Sequence, residues 1–230
     1  MNVAIIPARG GSKRIPRKNI KQFCGKPIIA HSIETAIKSK LFQKIFVTTD
    51  DAEIAHIAMK YGAEVPFLRC KDLSDDHTGT HEVIGDAVKR ITDLGFDIEY
   101  ACCIYPTAPL IIPSDLIKGF ELVREGNWDT VFAATNFSYP IMRSFKLNNG
   151  GGLEMFFPEN FEKRSQDLAE AFHDAGQFYW AHASVWAGKN PGFGRTSTIV
   201  PLPNWRVQDI DNIDDWKRAE YIFQSLQLQK

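Results

Sequence analysis

Apolar residues fall into two rhythms along this chain, and the alternation between them sets the expected fold. Residues 3–6 form an unbroken apolar run suited to a buried strand, and residues 27–39 (PIIAHSIETAIKS) then space their apolar positions along one helix face. The pair recurs: residues 45–50 (IFVTTD) read as a second strand, and residues 51–61 (DAEIAHIAMKY) as a helix stopped by Gly62. Residues 65–68 predict a short third strand and residues 80–94 a helix. A fourth strand over 100–105, a helix over 114–125 and a fifth strand over 130–135 (TVFAAT) follow. Repeated βα units predict an α/β domain with a mostly parallel sheet covered on both faces. Ligands of such sheets bind beyond the carboxyl ends of the strands.

The rhythm then breaks. Residues 136–178 read as irregular apart from a hairpin over 146–157 that turns at Asn148 to Gly152. Its apolar residues, Met155, Phe156 and Phe157 among them, require a cover. A last helix, IDDWKRAEYIFQSL, starts at Ile213.

Composition narrows the picture. At 230 residues and 44% hydrophobic content, a single domain with a substantial core is expected. A net charge of −1 gives no general attraction to nucleic acid or to an anionic membrane. No stretch has the roughly 18 apolar residues of a membrane span, and the N-terminus lacks the apolar core of a signal peptide, so a cytoplasmic location is expected. Cys24, Cys70, Cys102 and Cys103 have no zinc-ligand spacing, and the last two read as small core residues.

Positive charge is concentrated locally. The first strand empties into a loop holding Gly10, Gly11 and Ser12 with Arg9, Lys13, Arg14, Arg17 and Lys18. Glycines let backbone N–H groups approach an oxyanion, Ser12 adds a hydroxyl, and the cations neutralise polyphosphate charge. Pro7 and Pro16 stiffen both ends. A solvated basic loop is the plain alternative, but the position after a first strand favours a phosphate cradle. The loop is neither a Walker A sequence nor a GxGxxG turn. Near the other end, Asp209 and Asp211 alternate in WRVQDIDNIDDW and can share one face of an extended segment, a donor pair suited to a hard cation such as Mg²⁺. The same stretch also reads as a helix start, with Asp211 or Asn212 as cap and Asp214 and Asp215 in the first turn; the two readings are compatible.

The loop sequence IPARGGSKRIPRKNI resembles the N-terminal signature of the CMP-sialic-acid synthetase family of cytidylyltransferases. The resemblance implies a Rossmann-like nucleotide-diphospho-sugar transferase fold and transfer of CMP from CTP to a nine-carbon sugar acid. By the same resemblance, the loop from Ala8 through Gly10 and Gly11 wraps the triphosphate, with Arg9, Ser12 and Lys18 on phosphate and Asn19 near the nucleoside. Arg69 and the Thr78-Gly79-Thr80 stretch match the segment enclosing cytosine and ribose, and the DID pair implies bound Mg²⁺. His77 and His81 read as surface or capping residues, because no third metal ligand stands near. Thr48, Thr49 and Asp50 read equally well as caps of the next helix.

Where sialic-acid enzymes carry QPTSPLR, this chain has YPTAPLI, with Tyr105 and Ile111 replacing Gln and Arg. SYPIMRSF, RSQDL and HDAGQFYW resemble the pseudaminic-acid cytidylyltransferases more closely, which makes Tyr105, Arg143, Arg164, Gln177 and Tyr179 the implied contacts of the sugar acid. An Arg grips a carboxylate bidentately, whereas either Arg alone would read as a surface ion pair. The resemblance further implies a homodimer formed through residues 136–178, and a role in bacterial surface or flagellin glycosylation. Sialic, legionaminic or deoxyoctulosonic acid as acceptor, a non-catalytic nucleotide-binding module, and a glycosyltransferase using a DxD motif are the competing expectations.

Overall fold

The first apolar run becomes strand β1 (Asn2–Pro7), whose Val3, Ala4, Ile5 and Ile6 are wholly buried. This computed structural model describes residues 1–75, 78–188 and 194–228. After the basic loop and a single 3₁₀ turn (Lys18–Ile20), a small ribbon of β2 (Gln22–Phe23) and β3 (Lys26–Pro27) leads into helix α1 (Ile28–Ser39). Strand β4 (Lys44–Thr48) and helix α2 (Ala52–Lys60) follow, then α3 (Thr80–Asp93), β5 (Tyr100–Ile104), α4 (Pro113–Glu125) and β6 (Thr130–Asn136). The hairpin of β7 (Phe145–Leu147) and β8 (Leu153–Met155) lies where the turn signals place it. Strand β9 (Phe172–His182), the short helix α5 (Ala183–Ala187), β10 (Ser197–Leu202) and helix α6 (Ile213–Leu228) complete the order.

The six-stranded sheet runs β10-β6-β9-β5-β1-β4. Pairings β1 with β4, β1 with β5 and β10 with β6 are parallel, while β9 is antiparallel to both β5 and β6. Two expectations are corrected here. The irregular reading of residues 136–178 ended inside β9, which is a central strand; its first half, FHDAG, lacks the apolar run that marks a strand covered on both faces. Residues 65–68 form no strand of the sheet; isolated bridges join Phe46 of β4 to Glu64 just before them, and Thr49 just after β4 to Leu68.

Helices cover both faces. Ile29 and Ile33 of α1, Ile54 of α2 and Leu116 of α4 pack with Ile6, Val47, Cys102 and Trp180 on one side. Ile84, Val88 and Ile91 of α3 and Trp186 of α5 pack with Val3, Ile5 and Cys103 on the other. Cys102 and Cys103 are thus core residues, as their setting predicts, and burial raises both thiol pKa values. A third cluster joins Ile15 of the basic loop to Phe23, Ile28, Ile210 and Trp216. Full burial of an Ile stabilises by about 1.5–3 kcal/mol, so Ile15 and Ile210 tie the basic loop and the DID segment to α6.

Candidate functional site

The basic loop leaves β1 at the carboxyl edge of the sheet and is held there from below. Ala8 continues the ladder, its N–H donating to the carbonyl of Thr48 (3.0 Å). The N–H of Gly10 donates to Asp50 Oδ1 (2.9 Å). Asp51 accepts from the guanidinium of Arg17 and caps α2 by accepting from the N–H groups of Glu53 (2.9 Å) and Ile54 (3.0 Å). That cap corrects the alternative given to Asp50 and its threonines: Asp51 starts the helix, and Asp50 reaches the loop. Arg17 holds Asp51 down to about 2, well below the ordinary carboxylate value. A Cβ on residue 10 would lie 2.7 Å from Asp51 Oδ2, so Gly10 is required by close approach. Arg17, with a positive φ of 55°, points to Asp51 and Glu53.

Above the loop lies a cavity of about 410 Å³. Arg9, Ser12, Lys13, Arg14 and Lys18 line its floor, joined by Asn19 and Arg69. Thr78, Thr80, Tyr105 and Thr107 line the far side. Asn19 is buried and donates from Nδ2 to the carbonyl of Arg9 (2.9 Å), fixing the loop's curvature. Lys18 Nζ donates to the carbonyl of Ile210 (2.6 Å). Burial lowers its pKa against the opposing pull of Asp211 and Asp209. Arg69 is buried, donates from Nε to Ser74 Oγ (3.2 Å), and has its pKa lowered by desolvation. A buried guanidinium at the end of a cavity suits a planar acceptor of hydrogen bonds, such as a nucleobase edge.

The DID segment does not line this cavity but contacts two of its cations, Lys18 through the carbonyl of Ile210 and Arg14 through Asp211. Ile210 is buried and turns its flanking acids to the other side, where Arg14 Nη2 meets Asp211 Oδ1 at 2.7 Å. Burial, then the neighbouring Asp211, raises the pKa of Asp209. Two neighbouring carboxylates are a donor pair suited to a hard cation. The helix-start reading also holds: Asn212 Oδ1 accepts from the N–H groups of Asp214 and Asp215, and Asp215 Oδ2 accepts in return from that of Asn212 (3.1 Å).

A second, smaller cavity of about 190 Å³ opens next to the first and shares Thr80 and Tyr105 with it. The hydroxyls of those two residues lie 3.0 Å apart. Tyr179 donates to Asp174 Oδ2 at 2.5 Å, and Asp174 Oδ1 accepts from the N–H of Gly176 (2.8 Å). Burial raises the pKa of both phenols, so they remain donors. Gly176, at φ 60°, sits where the β6–β9 register is irregular, close against Asp209. Asp174 escaped the sequence reading because it sits in a segment read as loop; the D-A-G tripeptide before an aromatic run was its signal.

Other predicted positions lie elsewhere in this chain. Gln177 is buried, its Oε1 without a protein partner, while its main-chain carbonyl accepts from Tyr105 N–H (2.8 Å). Arg164 pairs with Asp167 (2.8 Å), and Arg143 ends a 3₁₀ turn; neither lines the two cavities. Ile111, which stands where sialic-acid enzymes carry Arg, is packed in the core. His81 Nε2 lies 3.1 Å from the carbonyl of Gly188, and His77 falls outside the described residues. Among the described residues, no helix is long and apolar enough to cross a membrane.

Residues 3–145 match the family model described as Cytidylyltransferase. The chain is 42% identical over 222 residues to a pseudaminic acid cytidylyltransferase of Campylobacter jejuni, covering 96% of each chain. It is 37% identical to a CMP-N,N'-diacetyllegionaminic acid synthase of Legionella pneumophila, again with 96% of each covered. In fold it is similar to a CMP:2-keto-3-deoxy-manno-octonic acid synthetase solved with CTP, with TM-score 0.73, 15% identity, and 98% and 99% of the two chains covered.

Proposed function

The chain belongs to the cytidylyltransferase family, and from that premise we propose that it transfers CMP from CTP to the anomeric hydroxyl of an acylamino nonulosonic acid, pseudaminic acid foremost. One observation carries the reading: a single cavity gathers Arg9, Ser12, Lys18, Asn19 and Arg69 at one end and opens past Thr80 and Tyr105 into a second. The first cavity suits a nucleoside triphosphate, and the second the acceptor.

The anomeric oxygen attacks the α-phosphorus in line. A new P–O bond forms, the bond from the α-phosphorus to the α–β bridging oxygen breaks, pyrophosphate departs with that bond's electron pair, and the proton of the anomeric hydroxyl passes to solvent. Arg9, Ser12 and Lys18 hold the triphosphate and neutralise charge on the leaving group; Asn19 and Arg69 orient the nucleoside. Asp209 and Asp211, presented together by the buried Ile210, are the residues that would hold Mg²⁺. When bound there, the ion supplies charge neutralisation of the phosphates. Supply of CTP and of a free sugar acid is consistent with action in the cytoplasm.

The segment between β6 and β9 carries Phe145, Leu147, Leu153 and Phe161 more than half exposed. A second copy of the chain is the cover we assign to this face, and Arg143 and Arg164, which lie in it, then serve the partner's acceptor site. Light scattering at micromolar protein tests this; a monomer alone refutes it.

The deciding experiment follows pyrophosphate release from CTP and Mg²⁺ with pseudaminic, sialic, legionaminic and deoxyoctulosonic acids in parallel. Strong turnover with pseudaminic acid alone is expected. Preference for another acid keeps the reaction and changes the acceptor. Silence with all four, despite CTP binding, refutes the transfer and favours a nucleotide-binding module.

A further inference from the structure

We infer that a third cavity, at the other end of the segment that walls the nucleotide cavity, is an effector site for a small amphipathic carboxylate, a single anionic group on an apolar body. The binding stands apart from the CMP-transfer reading, and its effect on turnover rests on that reading.

Residues 105–113 lead from β5 into α4 and face two cavities. Tyr105, Pro106 and Thr107 line the nucleotide cavity, whereas the run from Pro109 to Pro113 lines a separate cavity of about 520 Å³ that shares no lining residue with it. That volume lies within the roughly 300–1,000 Å³ of small-molecule sites. Helix α1 forms a second wall, and Phe223 and Leu226 of α6 a third. His31 of α1, whose pKa burial lowers so that the ring stays neutral, packs edge-on against Phe223 at 4.8 Å between ring centroids, which fixes those two walls to each other. The charged side chains that line the cavity are Lys26, Glu34 and Lys38, one positive charge in excess. Both lysines donate to Glu34 Oε2, at 2.6 and 3.4 Å. An ammonium has three donors, so each lysine keeps donors for an incoming anion, while Glu34 repels a second negative charge. A monoanion on an apolar body fits these walls, and a phosphate dianion does not.

The cavity reaches the reaction through the segment it shares. Ser32 Oγ donates to the carbonyl of Tyr105 (2.8 Å) and Thr35 Oγ1 to that of Ile111 (3.4 Å), so one face of α1 clamps the segment towards both ends. The second bond is long for a hydroxyl donor, and both of its partners line the cavity. The carbonyl of Leu110 also accepts from Arg206 (3.1 Å), which precedes the DID segment. Pro106, Pro109 and Pro113 stiffen the run between these ties. A ligand seated between α1 and Ile111 takes Thr35 from that carbonyl, and the stiff segment carries the shift to Tyr105 and Thr107. Tyr105 lines the acceptor cavity as well as the nucleotide cavity. Occupancy therefore weakens acceptor binding.

Calorimetry on the full-length protein tests the site with octanoate as the probe, against acetate, which lacks the tail, and octylamine, which reverses the charge. Octanoate should bind once per chain with a millimolar or tighter Kd, the other two much more weakly, and saturating CTP should not displace it. Lys38→Glu reverses a charge on the rim and should weaken octanoate by about fivefold or more, as expected for exposed ion pairs. Leu226→Trp should weaken it by filling the cavity; Lys38, being exposed, carries the test if that variant does not fold. In the pyrophosphate assay, octanoate should raise the acceptor KM severalfold in wild type and less in either variant. Absence of octanoate binding, equal binding of acetate or octylamine, displacement by CTP, or binding that neither variant weakens overturns the site. Binding that leaves the acceptor KM unmoved overturns the effector role. No pyrophosphate release with any acid, in the absence of octanoate, overturns the transfer reading instead, and calorimetry still decides the site.

Discussion

Removing Arg206 tests how the DID segment is held. Arg206 is 6% exposed and its guanidinium donates to both oxygens of Asp115 at the start of α4 (2.6 and 2.9 Å), and to the carbonyl of Leu110 (3.1 Å). Asp115 is equally buried and keeps one other protein bond, from Ile112 N–H at 3.2 Å. Arg206→Met therefore strands a carboxylate and a carbonyl in the interior. Breaking one side of a buried pair costs about 3–5 kcal/mol, a large share of a stability of about 5–15 kcal/mol. With a urea slope of about 1–3 kcal/mol per molar, the unfolding midpoint should fall by at least about 1 M. Tryptophan fluorescence in urea measures it, with the slope checked for constancy. Adding Asp115→Asn to Arg206→Met should recover part of the loss, because the stranded charge is gone. A midpoint within about 0.3 M of wild type, at the same slope, would refute the claim that this pair is desolvated.

Three further outcomes follow from the site. In Asp51, the pairing with Arg17 lowers the pKa from 3.8 to about 2. Its contribution is therefore whole above pH 4 and lost as pH falls through 2. Discounted for the exposure of Arg17, it amounts to about 1 kcal/mol, and acid unfolding curves of Asp51→Asn should lack that increment. Gly10→Ala should weaken CTP binding by about tenfold or more, equivalent to about 1.4 kcal/mol, because its methyl meets an Asp51 that Arg17 and the α2 N–H groups hold in place; unchanged affinity in calorimetry would contradict this. Asp211→Ala should abolish Mg²⁺-supported transfer with little change in melting temperature, since its pair with the exposed Arg14 is worth at most about 1 kcal/mol. Surviving turnover would remove Asp211 from the metal assignment.

Local rules settled much of this protein. Apolar runs and helical spacing depend only on neighbours in sequence, so β1, β5 and β6 and helices α1 to α4 were legible to within a few residues, as was the hairpin. The glycines, cations and paired acids were legible too, because their chemistry survives without coordinates. Tertiary structure alone decided the rest. It inserted β9 antiparallel at the centre of the sheet, a place its polar first half did not announce, and so delivered Asp174 and Tyr179 to the second cavity. It spent Arg17 and the N–H of Gly10 on Asp51 and Asp50, residues some 34–40 positions away, when the sequence had offered both to phosphate. It buried Ile15 with Ile210 and brought the two ends of the chain to one site. Such pairings depend on which distant surfaces meet when the core closes, and no spacing along the chain encodes that.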